Sequence, residues 1–210
     1  MSKSKKPLDQ AYLTALHALT ELMESTKTPY AVIGGLAVTL IAKPRFTEDI
    51  DAVVWLERKV WAHLLEQARL YDFVPRAEHP LEFAAQTNML LLKHEPTEVE
   101  VDISCGALPF EWEMIERAQT VNLPKITVHV ATPEDLIITK GVALREQDIA
   151  DIKTIIDVNK TLDRKRIMYW LAQFAEVLGK PEIHDKVQQM LDQPKKKKLL
   201  IKRKPRGRAR

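Results

Sequence analysis

Leu13, Leu16, Leu19 and Leu22 recur every third residue, close to the helical period, and predict a helix over 8–25. Pro29 ends that pattern, and the short apolar run Tyr30-Ala31-Val32-Ile33 reads as a buried strand entering Gly34-Gly35. A helix is expected over 36–42, stopped at Lys43-Pro44 because a residue before proline is pushed out of the helical region. Alternation then predicts a strand over 49–55, and Val60, Leu64, Leu65 and Ala68 a helix over 57–71. Two strands, 88–93 and 98–104, flank the turn signal Glu95-Pro96 and read as a hairpin. A helix over 108–118 and a strand over 126–130 complete this part. From there the period is helical only, with helices expected over 133–145, 147–159, 163–178 and 182–192. Thr132 is placed to cap the first of them, with Pro133 at its first position. The pattern is that of an α+β protein: a mixed core over 8–131 and a helical part over 132–194.

Charge changes this picture at one end. The 210 residues carry a formal net charge of +3, but residues 195–210 hold ten basic side chains and no acid. Residues 1–194 keep 22 basic side chains against 29 acidic ones, a net −7. The body is acidic and the tail cationic, so a nucleic-acid surface spread over the body is not expected. Residues 1–7 and 195–210 are expected to be disordered, the tail able to attract RNA. No apolar run approaches a membrane span and no signal-peptide core follows the first lysines, so a soluble, cytoplasmic protein is expected. Cys105 is the only cysteine, which excludes an internal disulfide or a thiolate metal site and leaves a buried, inert thiol.

The chemistry-bearing residues concentrate in the first half. Asp49 and Asp51 alternate with Ile50 and Ala52, so both point to one face of their strand. Asp102 lies in a second strand among Val99, Val101 and Ile103, with Glu100 sharing its parity. Acids in such apolar company are costly unless something neutralises them. Three carboxylates from neighbouring strands suit Mg²⁺, with Mn²⁺ as an alternative ion. Gly34 and Gly35, between a strand and a helix, can bring backbone N–H groups close to a phosphate or form a plain tight turn. Arg45 and Thr47, just upstream of the acids, can steady a phosphate oxygen or shape the turn.

Gly34-Gly35 followed by Arg45-Phe46-Thr47-Glu48-Asp49-Ile50-Asp51, with Asp102 later, resembles the nucleotidyltransferase superfamily. The Arg-x-Thr-x-Asp-Ile-Asp form and the block Thr132-Pro133-Glu134-Asp135-Leu136-Ile137-Ile138-Thr139-Lys140 look most like the minimal nucleotidyltransferases related to AbiEii-like toxins of bacteria. The resemblance covers residues 28 to 160 and implies a DNA polymerase β-like fold. It also implies transfer of a nucleoside monophosphate from an NTP to a hydroxyl, assisted by two metal ions held by Asp49, Asp51 and Asp102. Asp102 would also accept the hydroxyl proton. Lys140 would meet the triphosphate, and Lys140→Ala is expected to weaken NTP binding much more than it alters the stability of the free protein. Arg145, Asp148 and Asp151 would brace the helix pair or orient Lys140. The acceptor could be the 3′ end of tRNA or another RNA, a protein, or a small molecule such as an aminoglycoside. A cognate antitoxin is a candidate partner and a membrane is not. The competing reading is a non-catalytic nucleotide- or nucleic-acid-binding module on the same fold. The six histidines show no metal-ligand spacing, and no P-loop or serine-hydrolase motif is present.

Overall fold

The computed structural model describes residues 9–44, 47 and 49–193. The expectations placed on residues 1–7, on Arg45 and on 195–210 lie outside the described residues. The chain opens with α1 (Gln10–Ser25), whose Leu16, Leu19 and Leu22 are fully buried. Strand β1 (Tyr30–Val32) runs into α2 (Gly34–Ile41), and β2 (Asp49–Val54) follows. Next come α3 (Trp61–Ala68), β3 (Phe73–Pro75) and α4 (Pro80–Thr87). The strands β4 (Met89–His94) and β5 (Val99–Cys105) form the expected antiparallel hairpin. After α5 (Pro109–Glu116) come the antiparallel strands β6 (Gln119–Leu123) and β7 (Ile126–Val130).

Seven strands form one mixed sheet in the order β3-β4-β5-β2-β1-β7-β6. Strand β2 is antiparallel to β1 and parallel to β5, so its residues are paired on both sides. Burial alternates along β5: Val99, Val101, Ile103 and Cys105 are buried, while Glu100 is exposed and Asp102 half-buried. The apolar parity faces the core, and this forces the acids onto the opposite face.

Three elements go beyond the sequence expectation: β3, α4 and β6. The helix expected over 57–71 is broken into a 3₁₀ turn at Arg58–Val60, the α-helix α3, and a second 3₁₀ turn at Arg69–Tyr71. Asp72, in the left-handed region at φ 60°, then redirects the chain into β3.

The remaining described elements are helices: α6 (Pro133–Ala143), α7 (Glu146–Val158), α8 (Arg164–Leu178) and α9 (Glu182–Asp192). Thr132 caps α6, its Oγ1 accepting from the Asp135 N–H at 3.2 Å. Helix α6 packs on α7, α8 and α9, and α2 touches both α6 and α7. A Cβ at Gly141 would lie 2.8 Å from Leu171 and 3.0 Å from Val187, so the bare backbone there lets α8 and α9 close on α6. Arg166 of α8 ties the helices to the core: its Nε donates to Asp135 at 2.9 Å and its Nη1 to Glu113 of α5. Asp135 is fully buried, so this cation supplies the charge its carboxylate needs. Among the described residues no helix is long and apolar enough to cross a membrane.

Candidate active site

The central strands carry the acids. In the β2–β5 register Asp51 is paired with Asp102 and Asp49 with Glu100. Paired residues of parallel strands point to the same side, so all four carboxylates share one face of the sheet. Thr47 fixes the first of them, its hydroxyl donating to Asp49 Oδ1 at 3.1 Å. Tyr12 of α1 in turn donates to the Thr47 carbonyl at 2.7 Å. Thr47 therefore orients an acid in this structure.

The Gly34-Gly35 turn closes over Asp51. The Ile33 N–H donates to the Asp51 carbonyl at 2.9 Å, and the Gly35 backbone N–H donates to the Asp51 carboxylate. Gly34 has φ +63°, and a Cβ there would fall 1.8 Å from Asp51 Oδ2. Burial, followed by the like charges of Asp49 and Asp102, pushes the Asp51 carboxyl up to about 6. Asp102 is also raised, first by burial, with Arg76 pulling the other way.

Sequence reasoning missed Arg76. It follows β3, and its Nη1 lies 2.8 Å from Glu100 Oε2 while its Nη2 contacts Asp102 Oδ1. Asp102 is thus in an ion pair on the face it shares with Asp51. Among the described residues no three His, Cys, Asp or Glu side chains already stand together as a set able to hold a metal. The donors nevertheless fit a hard divalent cation. They are carboxylate oxygens, and Asp51, Asp49 and Asp102 lie close enough for their like charges to add to burial in raising Asp51.

Helices α6 and α7 bring the cations. Lys140 is buried, its Nζ 2.8 Å from Asp151 Oδ2 and 3.3 Å from Asp148 Oδ1. Arg145 donates from Nε to Asp148 Oδ2 at 2.7 Å. Lys140 pulls the Asp51 carboxyl down, while Asp51 and Asp49 both raise Arg145, so the helical cations and the strand acids share one field. The Arg145 side chain is 77% exposed whereas that of Lys140 is 7% exposed. Lys140 is therefore engaged inside the helical part, between Asp148 and Asp151, rather than presented to solvent.

A family model described as a nucleotidyltransferase of unknown function (DUF6036) matches residues 11–191. The chain belongs to that family. Solved structures share the fold at low identity. An antigenic nucleotidyltransferase-like protein from Paracoccidioides brasiliensis is 19% identical with a TM-score of 0.55, covering 87% of this chain and 94% of its own. The antibiotic-resistance factor ANT(2″)-Ia, in solution, is 15% identical with a TM-score of 0.57, covering 85% and 99% respectively. The same factor in complex with adenylyl-2″-tobramycin is 14% identical with a TM-score of 0.56, covering 80% and 99%. No curated protein matches the sequence.

For this nucleotidyltransferase-family chain the glycine turn gives a direct test. Gly34→Ala must place a methyl group on the Asp51 carboxylate in a left-handed backbone. The expected loss is about 3 kcal/mol or more, from αL strain and overpacking together. Thermal unfolding measures it, and an unchanged midpoint would mean that the turn and Asp51 are not packed together in solution. Cys105 takes no part: it is buried, and burial, then Glu111, pushes its thiol up to about 12.

Proposed function

We propose that the protein is a Mg²⁺-dependent nucleotidyltransferase that moves a nucleoside monophosphate from an NTP to an acceptor hydroxyl. One observation carries the reading: Asp51 and Asp102 are in register on central strands, with Asp49 beside them and Asp51 short of counter-charge. Asp49 and Asp51 are the residues that would hold Mg²⁺, with Asp102 completing the set. When bound, Mg²⁺ supplies charge neutralisation for the triphosphate and lowers the pKa of the acceptor hydroxyl. Thr47 and the Gly35 N–H keep the two β2 carboxylates oriented. Arg145, exposed and within the field of Asp49 and Asp51, is the cation best placed to meet a triphosphate. Lys140 acts from inside, holding Asp148 and Asp151 and so the start of α7. Asp102 accepts the proton of the acceptor hydroxyl as its oxygen bonds to the α-phosphorus and the bond to pyrophosphate breaks. Positioning and charge neutralisation carry most of the acceleration in such reactions.

The narrower reading is an AbiEii-like toxin acting on RNA, with a cognate antitoxin. It is supported by the Arg45-x-Thr47-x-Asp49-Ile50-Asp51 motif and the basic 195–210 segment. A small cationic acceptor is favoured instead by the acidic charge of residues 1–194. The test is incubation with each α-labelled NTP and Mg²⁺, offering total RNA, total protein and aminoglycosides in turn. Label should appear on one acceptor class and vanish with a chelator. Calorimetric NTP binding without label on any acceptor would favour the non-catalytic binding module.

A further inference from the structure

Arg76 is anchored by its own backbone and stem. Its N–H donates to the Leu91 carbonyl at 2.8 Å, and its Nε donates to the Leu92 carbonyl at 3.1 Å. Both acceptors belong to β4, so the guanidinium reaches over β4 to the acid face of β5. There its two ends meet Glu100 and Asp102. The opposite neighbour of Asp102, across the β2–β5 register, is Asp51. A cation fixed beside Asp102 repels a second cation, and the Oδ1 that it contacts is one of the two oxygens Asp102 can offer to a metal.

We propose that Arg76 is a positioning residue that serves as the exchangeable counter-ion of Asp102. In the free protein it neutralises and orients the carboxylate, and a divalent cation displaces it from Asp102 when the site is loaded. This rests on the metal-site reading above. The side chains of Arg76 and Asp102 are 25% and 26% exposed, so water screens the pair and keeps it exchangeable. After exchange the Glu100 contact and the Leu92 carbonyl still hold the guanidinium over β4. Loading therefore leaves β3 docked. The arrangement also sets a threshold: Asp102 is spared for the metal only when the cation competes successfully with Arg76.

The experiment measures Mn²⁺ binding to the full chain, without nucleotide, by electron paramagnetic resonance. Arg76→Gln should tighten Mn²⁺ by about three- to tenfold, because the share of protein with a free Asp102 sets the apparent affinity. Arg76→Lys keeps the charge but loses the two-ended fork, so its gain should be smaller but measurable. Adding Asp102→Asn to Arg76→Gln should cancel the gain. Thermal unfolding with a chelator confirms that each variant is folded, and Arg76→Lys decides the matter if Arg76→Gln is not. A merely structural Arg76 would lower the unfolding midpoint and leave Mn²⁺ affinity equal to wild type, which overturns the proposal. A gain that persists with Asp102→Asn overturns it equally. If Asp51→Asn abolishes Mn²⁺ binding while the Arg76 variants match wild type, only the Arg76 proposal fails. If wild type and all variants bind no Mn²⁺, the metal-site reading fails and takes this proposal with it.

Discussion

Asp51→Asn is expected to abolish nucleotidyl transfer and to make the protein more stable at neutral pH. Asparagine keeps the size of the side chain and an oxygen for the Gly35 N–H, but it removes a charge from a site where charge is costly. The carboxyl is pushed up to about 6 by burial, then by Asp49 and Asp102, from an ordinary value of 3.8. That difference corresponds to roughly 2–3 kcal/mol lost by the wild type at pH 7. The sign follows from proton uptake. Between about pH 4 and 6 the folded protein binds more protons at Asp51 than the unfolded chain does, so wild-type stability falls as pH rises through this window. Asp102, raised as well, acts in the same direction. The variant should lack the Asp51 share of this slope and melt roughly 5 °C higher at pH 7, at a few degrees per kcal/mol for a chain of this size. Transfer should fall by about a thousandfold or more, since the electrostatic stabilisation lost amounts to several kcal/mol. Calorimetry from pH 4 to 8 and a labelled-NTP assay check both halves. Equal loss of activity and of stability would show a structural acid instead.

Lys140→Met should be the most damaging single change in the helical half. Methionine fills the stem but leaves Asp148 and Asp151, both nearly fully buried, without the ammonium between them. Removing one partner of a buried ion pair costs about 3–5 kcal/mol. The midpoint should drop by roughly 10 °C. Burial pushes the Asp148 carboxyl up, but Arg145 and Lys140 outweigh it and the net value lies below the usual range. Its contribution is therefore present above the ordinary carboxylate range and lost only in stronger acid, outside the window of Asp51. Neutralising both acids as well, in Lys140→Met/Asp148→Asn/Asp151→Asn, should recover most of the stability. A single variant that melts within about 2 °C of wild type would return Lys140 to the solvated surface.

The elements that sequence pattern located are those with a one-sided burial. Helix α1 shows its leucines, β5 shows alternation that hides every other residue, and β2 shows it over Asp49 to Ala52. The overlooked elements lack that contrast. Strand β3 is three residues long and ends in Pro75, and β6 lies at the opposite edge of the sheet with no fully buried residue. Helix α4 buries only Ala84. The acids of the site were legible because each sits among apolar neighbours at fixed parity. Their placement opposite one another follows from a strand pairing that no local spacing encodes. Arg76 meets Asp102 from 26 residues away, and one arginine in a loop carries no periodic signal. Lys140 had a signal that could have been used: Leu136 and Ile137, four and three residues before it on the same side of α6, are apolar and buried, which leaves little room for a solvated face.

The sheet order has a consequence for how the site comes apart. Asp51 and Asp102 stand on strands hydrogen-bonded on both sides, whereas Arg76 follows β3, at one edge. Edge strands open in small excursions, and central ones open only when most of the fold does. Amide hydrogens around Asp51 and Asp102 should therefore exchange among the slowest in the molecule, and those of Phe73 to Arg76 far sooner. The acids belong to the part of the fold that persists longest, and their counter-ion is lent by the part that frays first.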